Sequence, residues 1–256
     1  MLKKVLPIII LTHKEAIHSR LLWVLLPVVL LIIAAAELLG TIAITEKTAI
    51  QTGFIAGSIR WAALIITCLF TITSIARERE SKFNDLLFSL PIHRGHYYLG
   101  KLVAYSSIAL MVVTGLCLAL LFYIPTTDAL LWILSLSFEL LIMVSFTLMV
   151  SLAIHNITGA FTAVIGFYFL ARSADVLLLI ASNNASVDPS FSNQVIIMLL
   201  AGLALLLPDF NTMVRIDDLL NHIISIQHYL SAGLSTTIYI LLIACASLID
   251  LHRKQL

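Results

Sequence analysis

Of the 256 residues, 61% are hydrophobic and 11% charged; soluble domains have an apolar share of ~45–50%, so the composition excludes a soluble fold and places the chain in a membrane. A net charge of +1 gives no support to nucleic-acid binding. Cys68, Cys117 and Cys245 all lie inside apolar runs, which points to packing rather than to a disulfide framework or a zinc site.

In chain order, the first residues read as a membrane-surface element. Lys3 and Lys4 precede the apolar run Val5 to Leu11 as in a signal peptide, but no small-x-small cleavage site follows and charges resume at Lys14, Glu15 and Arg20. In helical register Leu2, Leu6, Ile9, Ile10, His13 and Ile17 share one side, with Lys3, Lys4 and Lys14 elsewhere. That is the profile of an interfacial helix lying along the membrane before the first span.

A crossing helix needs ~20 mostly apolar residues. Six segments qualify: Leu21 to Leu39, Phe54 to Ala76, Leu102 to Ile124, Ala129 to Ile154, Gly159 to Ala181 and Tyr229 to Ile249. Six crossings put both termini on one side. Lys3, Lys4, Lys14, Arg20, Arg77, Arg79, Lys82, Arg94, Lys101, Arg253 and Lys254 fall on that side, with Lys47 and Arg215 opposite. The positive-inside bias therefore makes both termini, and the stretch between spans two and three, cytoplasmic. Val195 to Leu207 is short for a crossing and ends in Pro208-Asp209; it reads as a re-entrant or interfacial helix between spans five and six.

The stretch from Arg77 to Lys101 is the main hydrophilic interruption between spans. Within it Phe83, Leu86, Leu87 and Leu90 fall at i, i+3, i+4 and i+7, while Arg79, Lys82 and Asp85 lie off that stripe. The pattern predicts a short amphipathic helix that Pro91 stops, since proline lacks the next backbone donor and clashes with the preceding turn. One face can rest on membrane or protein and the other offers charges to a partner, which makes this a candidate docking surface. A solvated loop is the plainer alternative.

These residues resemble the cytoplasmic coupling segment of ABC type-2 transporter permeases. Glu78, Arg79 and Glu80 match its E-R-E run, Leu86, Leu87 and Pro91 the turn that follows, and Gly100-Lys101 the Gly-Lys entering the third span; Lys82-Phe83 stand where the family has Gly-Thr. The Leu207-Pro208-Asp209-Phe210 turn, followed by Asp217, is also similar to these permeases, particularly those associated with maturation of multicopper enzymes. The resemblance implies an inner-membrane permease of an ABC exporter with no ATPase site of its own. Two copies of a separate ABC ATPase subunit, carrying ATP and magnesium, would dock through Arg77, Glu78, Arg79, Glu80, Asp85, Leu86, Leu87 and Pro91. It further implies a second permease copy, as a homodimer or related heterodimer, surrounding membrane lipids, and room for an accessory protein at the periplasmic or outer face. No cofactor is implied on this chain itself.

Ionisable residues inside spans cost roughly 2.5–3.5 kcal/mol near a helix centre on insertion scales and so mark functional positions. Here they are Glu37, Arg60, Glu139, Arg172 and Asp175. Arg172 and Asp175 are three apart, on one helical face. At about 1.5 Å of rise per residue, Glu139 lies near the bilayer middle and Arg172 somewhat nearer the outside, within reach of it. Arg60 and Asp175 share a shallower outer depth. The set reads either as a polar vestibule opening outward or as ion pairs that make helix packing specific.

Other chemistry fits poorly. Gly95 to Lys101 satisfies G-x-x-x-x-G-K, but Leu102 stands where a phosphate loop needs Ser or Thr. His222 and His228 with Asp217 and Asp218 fall on different helix faces and read as a solvated loop rather than a metal site. Neither H-E-x-x-H nor G-x-S-x-G is present, which argues against an intramembrane enzyme. A stand-alone secondary transporter or channel, the alternative reading, would be expected to carry midplane helix breaks or an inverted repeat. The expected architecture is all-α and polytopic: a single permease domain over residues 1–256, six transmembrane helices, an N-terminal interfacial helix, a cytoplasmic coupling helix and a short re-entrant or interfacial helix before the last span.

Overall fold

A chain in hydrocarbon has to satisfy its backbone N–H and C=O groups internally, and helices do this within each segment. The computed structural model of this protein describes residues 2–19, 21–42, 46–80, 94–187, 191–214 and 226–253, and they carry helices and no strand. The α-helices are α1 (Leu2–His18), α2 (Leu21–Ile42), α3 (Lys47–Glu80), α4 (Arg94–Cys117), α5 (Thr126–Ala153), α6 (Ile157–Val187), α7 (Phe191–Leu206), α8 (Phe210–Met213) and α9 (Ile226–Arg253). A 3-10 turn, Leu120–Phe122, follows α4. Six helices, α2, α3, α4, α5, α6 and α9, are long and apolar enough to cross a membrane. The protein is an all-α polytopic membrane protein.

Helix ends depart from the apolar runs where polar residues continue a helix beyond the hydrocarbon. With 34 residues, α3 is roughly 50 Å long, against a hydrocarbon thickness of about 30 Å. Its Arg77–Glu80 end therefore stays helical past the span. α4 begins at Arg94, eight residues ahead of its apolar run, and so carries Tyr97, Tyr98 and Lys101. α7 has 16 residues, packs along α6, and leads into α8, which sits against α5, α6 and α9.

Burial separates the centre from the rim. In α5 67% of the span is buried and in α3 61%, against 22% for α2 and α9. The rim helices accordingly present Trp23, Leu26, Leu30, Leu234, Ile238 and Leu242 outward. α3 and α5 bury Thr67, Thr71, Thr147 and Ser151, whose hydroxyls donate to carbonyls four residues back at 2.6–2.9 Å. These four hydroxyls are thus satisfied along their own helices. Aromatic pairs fill the seams: Phe146 stacks on Phe167 at 3.9 Å, and Trp61 meets Tyr168 edge-on at 5.2 Å.

The N-terminal helix is present, and its two sides have separate tasks. Ile8, Thr12 and Ala16, at i, i+4 and i+8, are buried against the bundle, whereas Leu6, Ile10 and Ile17 of the predicted apolar stripe remain exposed. One side thus packs on protein, and the apolar stripe is left for the membrane surface.

Added volume at a fully buried position has to displace its neighbours. Ala56→Leu on α3, at a position with 0% exposure, should lower stability by about 1–3 kcal/mol through overpacking. Leu234→Ala on the exposed face of α9 should change it by less than about 0.5 kcal/mol. Thermal unfolding in detergent measures both.

Candidate functional site

Two sets of ionisable side chains stand out, one at the α3–α4 end of the bundle and one in its middle. At the first, α3 ends in Arg77-Glu78-Arg79-Glu80. Arg77 and Glu80 are exposed. Glu78 is 9% exposed; its carboxylate accepts a hydrogen bond from the Tyr97 hydroxyl at 2.9 Å and another from the Lys101 ammonium. The Arg79 guanidinium donates to the carbonyls of Ile154, at 3.2 Å, and Ser151. Glu78 and Arg79 are therefore taken up by packing, and Arg77 and Glu80 are the described members of the predicted surface that face outward. Asp85, Leu86, Leu87 and Pro91, with the rest of the predicted amphipathic helix, lie outside the described residues.

Two clefts flank this end of α3. One, of about 690 Å³, is lined by Leu11, Lys14, Glu15, His18, Arg77, Glu78 and Glu80. The other, of about 560 Å³, is lined by Ala76, Arg79, Glu80, His155, Asn156, Ile157 and Thr158. Glu80 borders both. The phosphate-loop lookalike Gly95 to Lys101 lies on α4, with its lysine 1% exposed and bound to Glu78.

In the middle of the bundle Glu139, at the midpoint of α5, is fully buried between two arginines. Arg60 Nε of α3 lies 3.6 Å from Glu139 Oε2, and Arg172 Nη1 of α6 lies 3.8 Å from Oε1. These are ion-pair rather than hydrogen-bond separations. Counting depth along the helices places Arg60 level with Asp175, whose side chain lies outside the described residues; the long Arg60 side chain reaches Glu139. Tyr168, one turn before Arg172, borders the same carboxylate and packs on Phe210 with ring centres 5.7 Å apart.

Both arginines also grip the chain that follows α7. Arg60 Nη2 donates to the Val214 carbonyl at 2.8 Å and Arg172 Nη1 to the Phe210 carbonyl at 3.4 Å, while Asn211 Nδ2 donates back to the Arg172 carbonyl at 2.6 Å. Val214 is the C-cap of α8, where a carbonyl has no partner within the helix and a guanidinium donor is favoured. Asp209 caps the other end of α8 by accepting from Thr212 N–H at 3.0 Å, and the Tyr239 hydroxyl donates to the Leu207 carbonyl at 2.8 Å. The Leu207–Phe210 turn is thus built into the cluster. Among the described residues, this site holds two arginines and one glutamate, and of these three Arg172, with 28% of its side chain exposed, reaches the surface.

Glu37 stands apart from this cluster: it is exposed on α2 and accepts from the Tyr123 hydroxyl at 2.6 Å. The Asp175 side chain, and Asp217, Asp218, His222 and the His228 side chain, lie outside the described residues. Tyr168 and Thr12 border these two sets and carry no charge, so reading the sequence for charge passes over them. The i, i+4 spacing of Tyr168 and Arg172 is the signal for the first; Thr12 lies off the apolar stripe of α1 and gives none.

The model of the ABC-2 family transporter proteins matches residues 32–248, most of the chain and all six apolar helices in whole or part. No curated protein gives a significant match.

With one carboxylate serving two arginines, removing it leaves more charge uncompensated than removing either cation. Glu139→Gln should therefore cost about 3–5 kcal/mol, and Arg172→Gln less, since its side chain reaches the surface. The double variant Glu139→Gln/Arg60→Gln should be less destabilised than the sum of the singles by about 0.5–3 kcal/mol. Additive losses in thermal unfolding would mean that the residues do not interact.

Proposed function

As a member of the ABC-2 transporter family, the chain is the membrane subunit of an ABC transporter, and we propose that two copies, or this chain and a related one, form the translocation path of an exporter driven by separate ATPase subunits. ATP and magnesium belong on those partners. The ATPase docks at the α3–α4 end, on the surface offered by Arg77 and Glu80 and continued by residues 81–93. This end is cytoplasmic, a reading supported by the concentration of Lys and Arg on the corresponding side of the spans, and the membrane is the inner membrane.

The observation that carries the docking assignment is the split within Arg77-Glu78-Arg79-Glu80. A helix running past its span, with the middle two charges turned into the bundle and the outer two turned out beside the clefts, holds an outward charge pair at a fixed height and angle. The path passes beside the Glu139 cluster. Arg60 and Arg172 bridge α3, α6 and the stretch 210–214; opening of a path here would transfer those donors from backbone carbonyls to cargo or water. Buried charges favour two discrete arrangements here, because a half-moved guanidinium in hydrocarbon has partners in neither.

Reversal of the outward pair isolates the docking step. Arg77→Glu with Glu80→Lys should leave thermal stability within about 0.5 kcal/mol, as surface substitutions usually do. It should slow association with the ATPase subunit and steepen neither expression loss nor aggregation, since rim charges act mainly on the association rate. Surface plasmon resonance of the purified partners, alongside ATP turnover by the chain alone and by the complex, checks this. Unchanged association would remove the docking assignment, and turnover by the chain alone would remove the division of labour.

A further inference from the structure

Arg60 and Arg172 share the Glu139 carboxylate but are held differently. Arg60 is 4% exposed and is fixed by a 2.8 Å hydrogen bond to the Val214 carbonyl. Arg172, with 28% of its side chain exposed, stands 3.8 Å from Glu139 Oε1 and 3.4 Å from the Phe210 carbonyl. Committed arginine–carboxylate pairs close to about 2.7–2.9 Å, and a guanidinium has several N–H donors, so Arg172 has capacity to spare. Glu139 is 0% exposed, yet neither of its oxygens accepts a hydrogen bond from a described residue, and the Tyr168 hydroxyl beside it donates none.

From this asymmetry we infer that Arg172 is the cargo-binding group of the translocation path and that the cargo is an anionic amphiphile, whose carboxylate, sulfate or phosphate oxygen takes the guanidinium in place of Glu139. The inference rests on the proposal that the path passes beside this cluster, and it names the class of what passes. Charge balance selects the sign. Among the described residues two arginines meet one glutamate, so an arriving anion brings the missing negative charge, whereas a cation would add to the surplus. Charge balance also selects the arginine: when Arg172 turns away, Arg60 still compensates Glu139, and no buried charge is left unpaired. Glu139 is a positioning residue that holds the guanidinium while the path is empty. The apolar part of the cargo has a surface beside the charge. Phe169, 55% exposed, lies three residues before Arg172 and so on the same side of α6. Trp61 meets the Phe169 and Tyr168 rings, each at 5.2 Å.

Saturation-transfer NMR titrations of the chain alone in detergent micelles, with protein-free micelles as the blank, test the site; the probes are hexyl phosphate, hexanol and hexyltrimethylammonium. The native chain should bind hexyl phosphate at least about tenfold more tightly than the other two, as a hydrogen bond to a charged group allows. Arg172→Gln should lose that preference, and Arg172→Lys should keep part of it because the charge remains. Glu139→Gln should bind hexyl phosphate more tightly than the native chain, since the resident competitor is gone; a residue serving packing alone gives no such gain. If Glu139→Gln does not fold, the probe series and the two Arg172 variants decide. Equal affinity for the three probes, or a hexyl phosphate preference that survives Arg172→Gln, overturns the site. In the complex with the ATPase, hexyl phosphate should stimulate ATP turnover with the native chain and not with Arg172→Gln. Binding without stimulation would identify the occupant as a resident anionic lipid and overturn the cargo role. If no ATPase assembles with the chain, the path proposal falls, while the titrations of the chain alone still judge the anion site.

Discussion

A charge held in hydrocarbon has to be matched by the protein, and Glu139 between Arg60 and Arg172 shows what that requirement does to this fold. The carboxylate sits on the most buried span, the arginines on α3 and α6 converge on it, and the same guanidinium groups donate to the carbonyls of Phe210 and Val214. A short turn with end carbonyls of its own can sit deep among α5, α6 and α9 because those donors are there to receive it. The arginines therefore bind a long-range packing contact to a backbone segment that would otherwise be costly to bury.

The same requirement governs the α3–α4 end. Lys101, two turns into its helix, is covered by protein and paired with Glu78, which draws one charge of the Arg77-Glu78-Arg79-Glu80 run inward. Arg79 follows toward the carbonyls of Ser151 and Ile154, linking α3 to the end of α5. What is left outside is an arginine and a glutamate at a helix end whose position is set by buried neighbours. Pre-organisation of this kind lowers the ordering cost of binding a partner.

Much of this was legible in the residues. Six spans follow from apolar run length, and the Glu139–Arg172 contact from depth and adjacency, since both quantities depend on sequence position alone. The inward turn of Glu78 and Arg79 did not follow. A charged run at the end of a span looks exposed until α3 is seen to continue helically to Glu80 and α4 to begin at Arg94. The Arg60–Glu139 contact was hidden because counting residues fixes the level of Cα atoms and ignores the reach of a guanidinium. The side of α1 that packs on protein was hidden for another reason: Ile8, Thr12 and Ala16 form no strong apolar stripe, and Thr12 is buried for its hydroxyl.

The central claim is that buried charges hold this subunit in a closed arrangement that an ATPase at the α3–α4 end releases. Cryo-electron microscopy of the complex in lipid nanodiscs, nucleotide-free and vanadate-trapped, tests it most directly. The account predicts ATPase density against Arg77 and Glu80 in both states, with the Glu78–Lys101 pair intact and the Arg60 and Arg172 contacts to the Val214 and Phe210 carbonyls broken in one of them. ATPase density elsewhere, or a path that opens while those two arginines keep their carbonyl partners, would contradict it.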